Sequence, residues 1–209
     1  MTTAEPGRGY WERHADNYDR SMRVLGGPLP RMLELTVRAV QGSERVLEVA
    51  AGTGLVTAAV APVVGQLVAT DYADAMVASV QRRVAALGLE NVRCERADVY
   101  ALAYEDGAFD AVIAANVLHL VPDLSGAPLA LQRVLKPGGK LVAPTFCHDE
   151  TLASRVLSRV LAVTGFPGAR RFRARSLGEA LRAAGFEPSA TETLPGAIPV
   201  AFVEALSAR

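Results

Sequence analysis

Apolar positions along this chain come in two rhythms. Short apolar runs at Arg45 to Ala50, Gln66 to Asp71, Asn91 to Glu95, Phe109 to Ala114 and Lys140 to Phe146 read as strands. Longer stretches between them, Leu55 to Val64, Asp74 to Leu87 and Ala127 to Leu135, read as helices. The second of these is expected to be capped by Asp74 and closed by Gly88, and the third to be ended by Pro137 and Gly138. Pro28 and Pro30 open an earlier helical stretch whose apolar positions are Met32, Leu33, Leu35, Val37 and Val40. Strands separated by helices indicate βαβ units. The chain is therefore of the α/β class, with a mostly parallel sheet and helices on both faces.

The rhythm changes after Phe146. A helix-rich insertion is expected from about Glu150 to Gly165, then an arginine loop and a helix from Ser176 to Ala184. Glu187 to Leu194 and Val200 to Leu206 are strand-like, separated by Pro195, Gly196 and Pro199, and their closeness favours an antiparallel hairpin.

Composition narrows the function. The 209 residues suit one domain, and the 50% hydrophobic content with a mean hydropathy of +0.20 excludes a disordered chain. Twenty-two basic and 22 acidic side chains cancel, which argues against a nucleic-acid partner. Cys94 and Cys147 form no C-x-x-C, and His14, His119 and His148 show no metal-ligand spacing, so neither a disulfide framework nor a metal site is expected. The uncharged stretch Val49 to Thr70 is interrupted by Gly52, Gly54, Pro62 and Gly65, so it reads as strand, loop, helix and strand rather than a membrane span. The polar N-terminus lacks a secretory core, and a cytoplasmic location is expected.

The strongest local motif is Val46-Leu47-Glu48-Val49-Ala50-Ala51-Gly52-Thr53-Gly54, between a strand and a helix. Gly52 and Gly54, with small Ala50 and Ala51, allow a ligand close to the backbone at a sharp turn. A dinucleotide G-x-G-x-x-G needs a glycine where this chain has Thr57, and Glu48 would crowd a pyrophosphate. The next strand ends at Asp71, whose carboxylate suits ribose hydroxyls, although it could instead cap the following turn. Asp98 suits an exocyclic amine, with the backbone amide of Val99 beside it, and Asn116 ends the fourth strand. Glu48, Asp71, Asp98 and Asn116 thus share the carboxyl edge of four strands, where acidic groups favour a positively charged nucleoside.

With these residues the chain resembles the class I S-adenosylmethionine-dependent methyltransferases, and within them the small-molecule group that includes the ubiquinone and menaquinone C-methyltransferases. The resemblance rests on LEVAAGTG (Leu47 to Gly54), TDYADAM (Thr70 to Met76), ADVYALAYEDGAFDAV (Ala97 to Val112), NVLHLVPD (Asn116 to Asp123) and RVLKPGGKL (Arg133 to Leu141). Ala50 replaces a glycine often found in the loop. The resemblance implies a Rossmann-like seven-stranded sheet with an antiparallel last strand, and S-adenosyl-L-methionine as cofactor. By the same resemblance Gly52 and Gly54 pass the methionine part, with Glu48 acting through the loop, the amino group or a water. Asp71 holds the ribose, Tyr72 and Met76 pack on adenine, Asp98 with Val99 faces the adenine amine, and Asn116 approaches the sulfonium. It also implies a division into an N-terminal lid with helices (1–42), a cofactor core (43–146), an acceptor-side insertion (147–185) and a terminal hairpin (186–209).

The expected reaction is SN2 transfer of a methyl group to O, N or C of a small-molecule acceptor. A module that only binds the cofactor or its product, and a nicotinamide-dependent oxidoreductase, are the alternatives. No residue is assigned to catalysis on sequence; His119 is the first candidate for a base, with His14 and Tyr10 behind it, and packing is its competing role. Tyr10, Trp11, His14 and Tyr18 fall near one face of a helix, and Tyr18-Asp19 resembles the lid of relatives. Four arginines between Arg170 and Arg175 suit an anionic acceptor group or a solvated loop. The zero net charge hides two opposed regions: a local sum of −5 from Glu90 to Asp123 and of +6 from Arg155 to Arg182.

Overall fold

The computed structural model describes residues 9–12, 27–163 and 171–208. Helix α1 (Leu29–Val40) buries Met32, Leu35, Thr36, Ala39 and Val40, the i, i+3, i+4, i+7, i+8 stripe of an amphipathic helix, while Pro30 sits in its first turn. The alternation that follows is β1 (Arg45–Val49), α2 (Leu55–Val60) with a 3₁₀ turn at Ala61–Val63, β2 (Gln66–Asp71), α3 (Asp74–Leu87), β3 (Val92–Arg96) and β4 (Phe109–Ile113). Then come α4 (Gly126–Val134), β5 (Leu135–Val142), β6 (Thr145–Phe146), α5 (Leu152–Val163), α6 (Ala174–Ala183), β7 (Phe186–Leu194) and β8 (Val200–Ser207).

The strands form one sheet in the order β3-β2-β1-β4-β5-β8, with β7 on the far edge of β8. Strand β6 continues β5 past a break at Ala143 and Pro144 and pairs with the same edge of β8. The eight segments therefore occupy seven positions. Strands β1 to β5 are parallel neighbours, and β8 runs antiparallel to β5, β6 and β7. This is the expected mostly parallel sheet with an antiparallel last strand.

Burial shows that both faces are covered. Leu47, Val112 and Leu141 belong to one core cluster with Leu131 of α4 and Leu177 of α6. Their neighbours Val46, Ile113 and Val142 belong to a second cluster with Met32 of α1 and Val60 of α2. Successive side chains of a strand point to opposite faces, so these pairs locate helices above and below one sheet.

Three expectations need correction. Asp74 does not cap α3: it is the first helical residue, preceded by extended Ala73. The cap is supplied from elsewhere, because the Glu12 carboxylate accepts from the backbone N–H groups of Asp74 (3.0 Å) and Ala75 (3.1 Å). The helix after the glycine loop stops at Val60, where Pro62 tightens the chain into the 3₁₀ turn. Pro137 and Gly138 lie inside β5, not at a helix end, beside an irregular register between Phe109 and Ala111. Gly88 does close α3 in the left-handed conformation, as expected.

Candidate functional site

The glycine loop owes its shape to left-handed residues. Ala50 (φ 54°), Gly52 (φ 58°) and Gly54 (φ 81°) turn the chain sharply between β1 and α2. At Gly54 a Cβ would lie 2.8 Å from Cγ2 of Val80, so the loop and α3 approach as closely as glycine permits. Ala50, standing at the position of a frequent glycine, adopts the left-handed conformation despite its Cβ.

Asp71 ties this loop to the next strand. Its Oδ2 accepts from the Gly52 N–H (2.9 Å) and its Oδ1 from the Ala73 N–H (3.0 Å). Burial pushes its pKa up, and those backbone donors oppose the shift. A carboxylate offers about four acceptor sites, and the backbone donors of Ala73, Gly52 and Tyr72 leave room for a hydroxyl donor. Asp71 therefore caps the turn and remains suited to a ligand, so the two readings coexist.

Glu48 lies under the loop, 1% exposed. Its Oε2 accepts from the Thr57 hydroxyl at 2.6 Å, and burial pushes its pKa up to about 8. At neutral pH it is mainly a neutral acid joining β1 to α2. Asn116 has φ 53°, donates its backbone N–H to Pro144 O (2.7 Å) and points Nδ2 at Met32 Sδ (3.6 Å). Its Oδ1 is buried with no hydrogen-bond partner. Glu48, Gly52, Asn116, Leu29 and Met32 line one cleft between α1 and the sheet edge. An ammonium group entering there would satisfy Asn116 Oδ1, so these residues fit the amino-acid part of S-adenosylmethionine.

The other expected nucleoside contacts follow the same edge. Asp98, half-buried, accepts from the Tyr100 N–H (2.9 Å) in a local turn, and Val99 beside it is buried. The ring of Tyr72 lies under the Arg96 guanidinium, 5.6 Å from its centroid. Met76 is buried with Ala73, and Trp11 packs against them from the helical residues 9–12. Trp11 and the Glu12 cap thus bring the N-terminal segment onto α3 beside Asp71. Tyr18, His14 and Asp19 lie outside the described residues.

A second polar cluster occupies the acceptor side. His119, 1% exposed, packs edge-on against Phe146 (5.9 Å) and lies 5.4 Å from the ring of His148. Burial, and then His148, push the His119 pKa down to about 3. His148 Nδ1 lies 2.7 Å from Ser158 Oγ, and that hydroxyl donates to Ser154 O at 2.6 Å. A hydroxyl has one proton, so towards His148 it can only accept. His148 therefore carries its hydrogen on Nδ1 and presents Nε2 as the acceptor nitrogen. Burial, with the Arg171 charge behind it, also lowers the His148 pKa. Sequence reasoning missed this pair, because nothing in the spacing of His119, His148 and Ser158 shows that three separate elements converge. Among the described residues no group of three or more metal-type ligands forms. Cys94 and Cys147 are free thiols, and burial pushes the Cys147 pKa up to about 11. Cys94 is half-buried.

Comparison with known proteins agrees with this geometry. The methyltransferase domain family matches residues 47–143. The ubiquinone/menaquinone biosynthesis C-methyltransferase UbiE of Teredinibacter turnerae is 35% identical over 154 residues, covering 70% of this chain and 62% of that protein. The demethylmenaquinone methyltransferase of Thermus thermophilus is 42% identical over 138 residues, covering 63% of this chain and 62% of the other. The chain thus spans 62% of the length of each of these relatives. A SAM-dependent methyltransferase from Aquifex aeolicus has the same fold, with a TM-score of 0.74 over 94% of this chain and 98% of the other at 21% identity. Glycine loop, acidic strand ends and antiparallel last strand together with these likenesses make the chain similar to S-adenosylmethionine-dependent methyltransferases, whose fold it has.

Proposed function

We propose that this chain transfers a methyl group from S-adenosylmethionine to O, N or C of a small-molecule acceptor. The observation that carries the reading is the common edge of four parallel strands, where Gly52, Asp71, Asp98 and Asn116 gather and Asp71 is bonded to the loop it faces. The cofactor supplies a methyl group on a sulfonium, and transfer to a nucleophile is an in-line displacement. The protein's part is to orient both reactants and exclude water. Gly52 and Gly54 admit the amino-acid part, Asn116 accepts from its ammonium, Asp71 holds the ribose hydroxyls, and Asp98 with Val99 faces the base. Tyr72 and Met76 flank the adenine, with Trp11 packed beside Met76. Residues 147–185 shape the acceptor side.

For an acceptor that must lose a proton, we assign the base to His148 ahead of His119. Both rings are buried, but Nε2 of His148 is its acceptor nitrogen, and burial pushes the His119 pKa down to about 3. The names of the relatives favour a quinone precursor as acceptor, and the balanced charge favours a small molecule over nucleic acid. Among the described residues no helix is long and apolar enough to cross a membrane.

Calorimetric titration with S-adenosylmethionine, S-adenosylhomocysteine and NADH tests the reading. The two sulfur compounds are expected to bind, with Asp71→Ala weakening both by about 10- to 100-fold, as for loss of a charge-assisted pair of hydrogen bonds. Binding of NADH alone would sink the proposal. Binding without release of S-adenosylhomocysteine across an acceptor screen would leave a non-catalytic module instead.

A further inference from the structure

Helix α5 is built inside out. Ser154 and Ser158 are buried, while Leu152, Val156 and Val160 are 78%, 62% and 59% exposed. Steps of four residues align those three on one face. The rotation that exposes them is fixed by hydrogen bonds. Thr151 and Ser154 form a reciprocal cap, with Ser154 N–H to Thr151 Oγ1 and Thr151 N–H to Ser154 Oγ both 3.0 Å. Ser158 is held between His148 and Ser154 O. Turning the helix to hide its apolar face would strand both serines and His148.

The surroundings of this face are cationic. From Asp149 to Glu179 the chain has six arginines and three acidic residues, of which Glu150 accepts from the Ala174 N–H (2.9 Å). Arg159, exposed, neighbours Leu152 and Val156 on the same helical surface. The segment before α6 is joined to the start of α5 by the bond from Asp149 N–H to Phe172 O (3.1 Å). Phe172 is buried, and Arg171 and Arg173 on either side of it are exposed. Arg175 is paired with Glu179 and contributes less.

We propose that the outer face of α5, with Arg159, Arg171 and Arg173, docks the protein on a bilayer surface carrying anionic headgroups. A bilayer interface accepts both halves of this surface: the aliphatic stripe enters the boundary of headgroups and acyl chains, and the guanidinium groups pair with phosphates. A second copy of the chain is a poorer partner, because a self-complementary contact would bring arginines against arginines. The inference is independent of methyl transfer, but it brings the insertion that shapes the acceptor side against a lipid phase.

Sedimentation with phosphatidylcholine vesicles, with and without phosphatidylglycerol, tests the proposal on the full chain. The expected result is binding to the anionic vesicles only, weakened by salt over the Debye range. The double substitution Val156→Glu, Val160→Glu should reduce it by at least about tenfold, as should Arg171→Glu with Arg173→Glu. These side chains are exposed, so circular dichroism and S-adenosylmethionine affinity should stay unchanged, which separates failure of docking from failure of the cofactor reading. Absence of binding to anionic vesicles, or binding indifferent to both double substitutions, overturns the proposal. So does a dimer in analytical ultracentrifugation that Val156→Glu dissociates, since the face would then belong to a second copy.

Discussion

At the residue scale, the charge state of Glu48 bears on stability. Its folded pKa, about 8, stands above the ordinary carboxyl value, so folding favours the protonated form. The stability that goes with the neutral acid is complete below pH 4.5 and is lost as pH rises towards about 8. Glu48→Gln preserves an acceptor for Thr57 and removes the titration. Thermal unfolding across pH 5 to 8 should therefore show the wild type losing up to about 1.4 kcal/mol per pH unit relative to the variant. Equal slopes for both proteins would show that Glu48 is not buried as described. Sequence made part of this residue legible: the acid before the glycines was visible there. Its partner was not, because the bond to Thr57 depends on where α2 sits over β1. Asp71 was clearer, since a carboxylate at a strand end has few neighbours to choose from. His148 was opaque, its role fixed by a serine on a helix whose rotation no local pattern gives.

At the element scale, propensity and periodicity performed best where an element is stabilised by itself. Helix α3 was expected from Asp74 to Leu87 and observed there, because Gly88 terminates it locally. Its cap was misread because the capping carboxylate belongs to Glu12, far away in sequence. Likewise Pro137-Gly138 punctuates a helix in isolation, yet the pairing of β5 with β4 draws it into a strand. The borrowed cap is itself testable. Glu12→Ala should cost α3 about 1 kcal/mol, the usual loss of a helix cap. Trp11, the single tryptophan, packs beside it on Met76, so its fluorescence reports the same event. The variant should emit at longer wavelength than the wild type; an unchanged spectrum would mean that Glu12 does not hold this segment down.

At the scale of the whole molecule, the parallel half and the antiparallel half of the sheet are made differently. Strands β1, β2 and β3 meet through short crossovers, as in the pairing of Arg45 with Gln66, and β4 returns to β1 to pair Val46 with Ala111. Strand β8 instead reaches back past α5, α6 and β7 to pair Lys140 with Leu206, and it holds β5, β6 and β7 at once. That division was legible in outline, since the change of rhythm after Phe146 and the hairpin were both expected. The insertion of β8 between β5 and β7 was not legible in the sequence, because pairing between distant strands leaves no periodic trace. Its consequence is kinetic. Contacts closing so long a loop come late in folding, after the entropy of closure has been overcome by the local βαβ units. Val203→Ala, in the fully buried middle of β8, should cost about 2 kcal/mol by leaving a small cavity. Nearly all of that loss should appear as unfolding faster by about 10- to 30-fold, with the refolding rate little changed. A slowed refolding rate would instead place β8 in the nucleus. The strand that locks the acceptor half of the sheet is, on this account, the latch whose release sets the lifetime of the native protein.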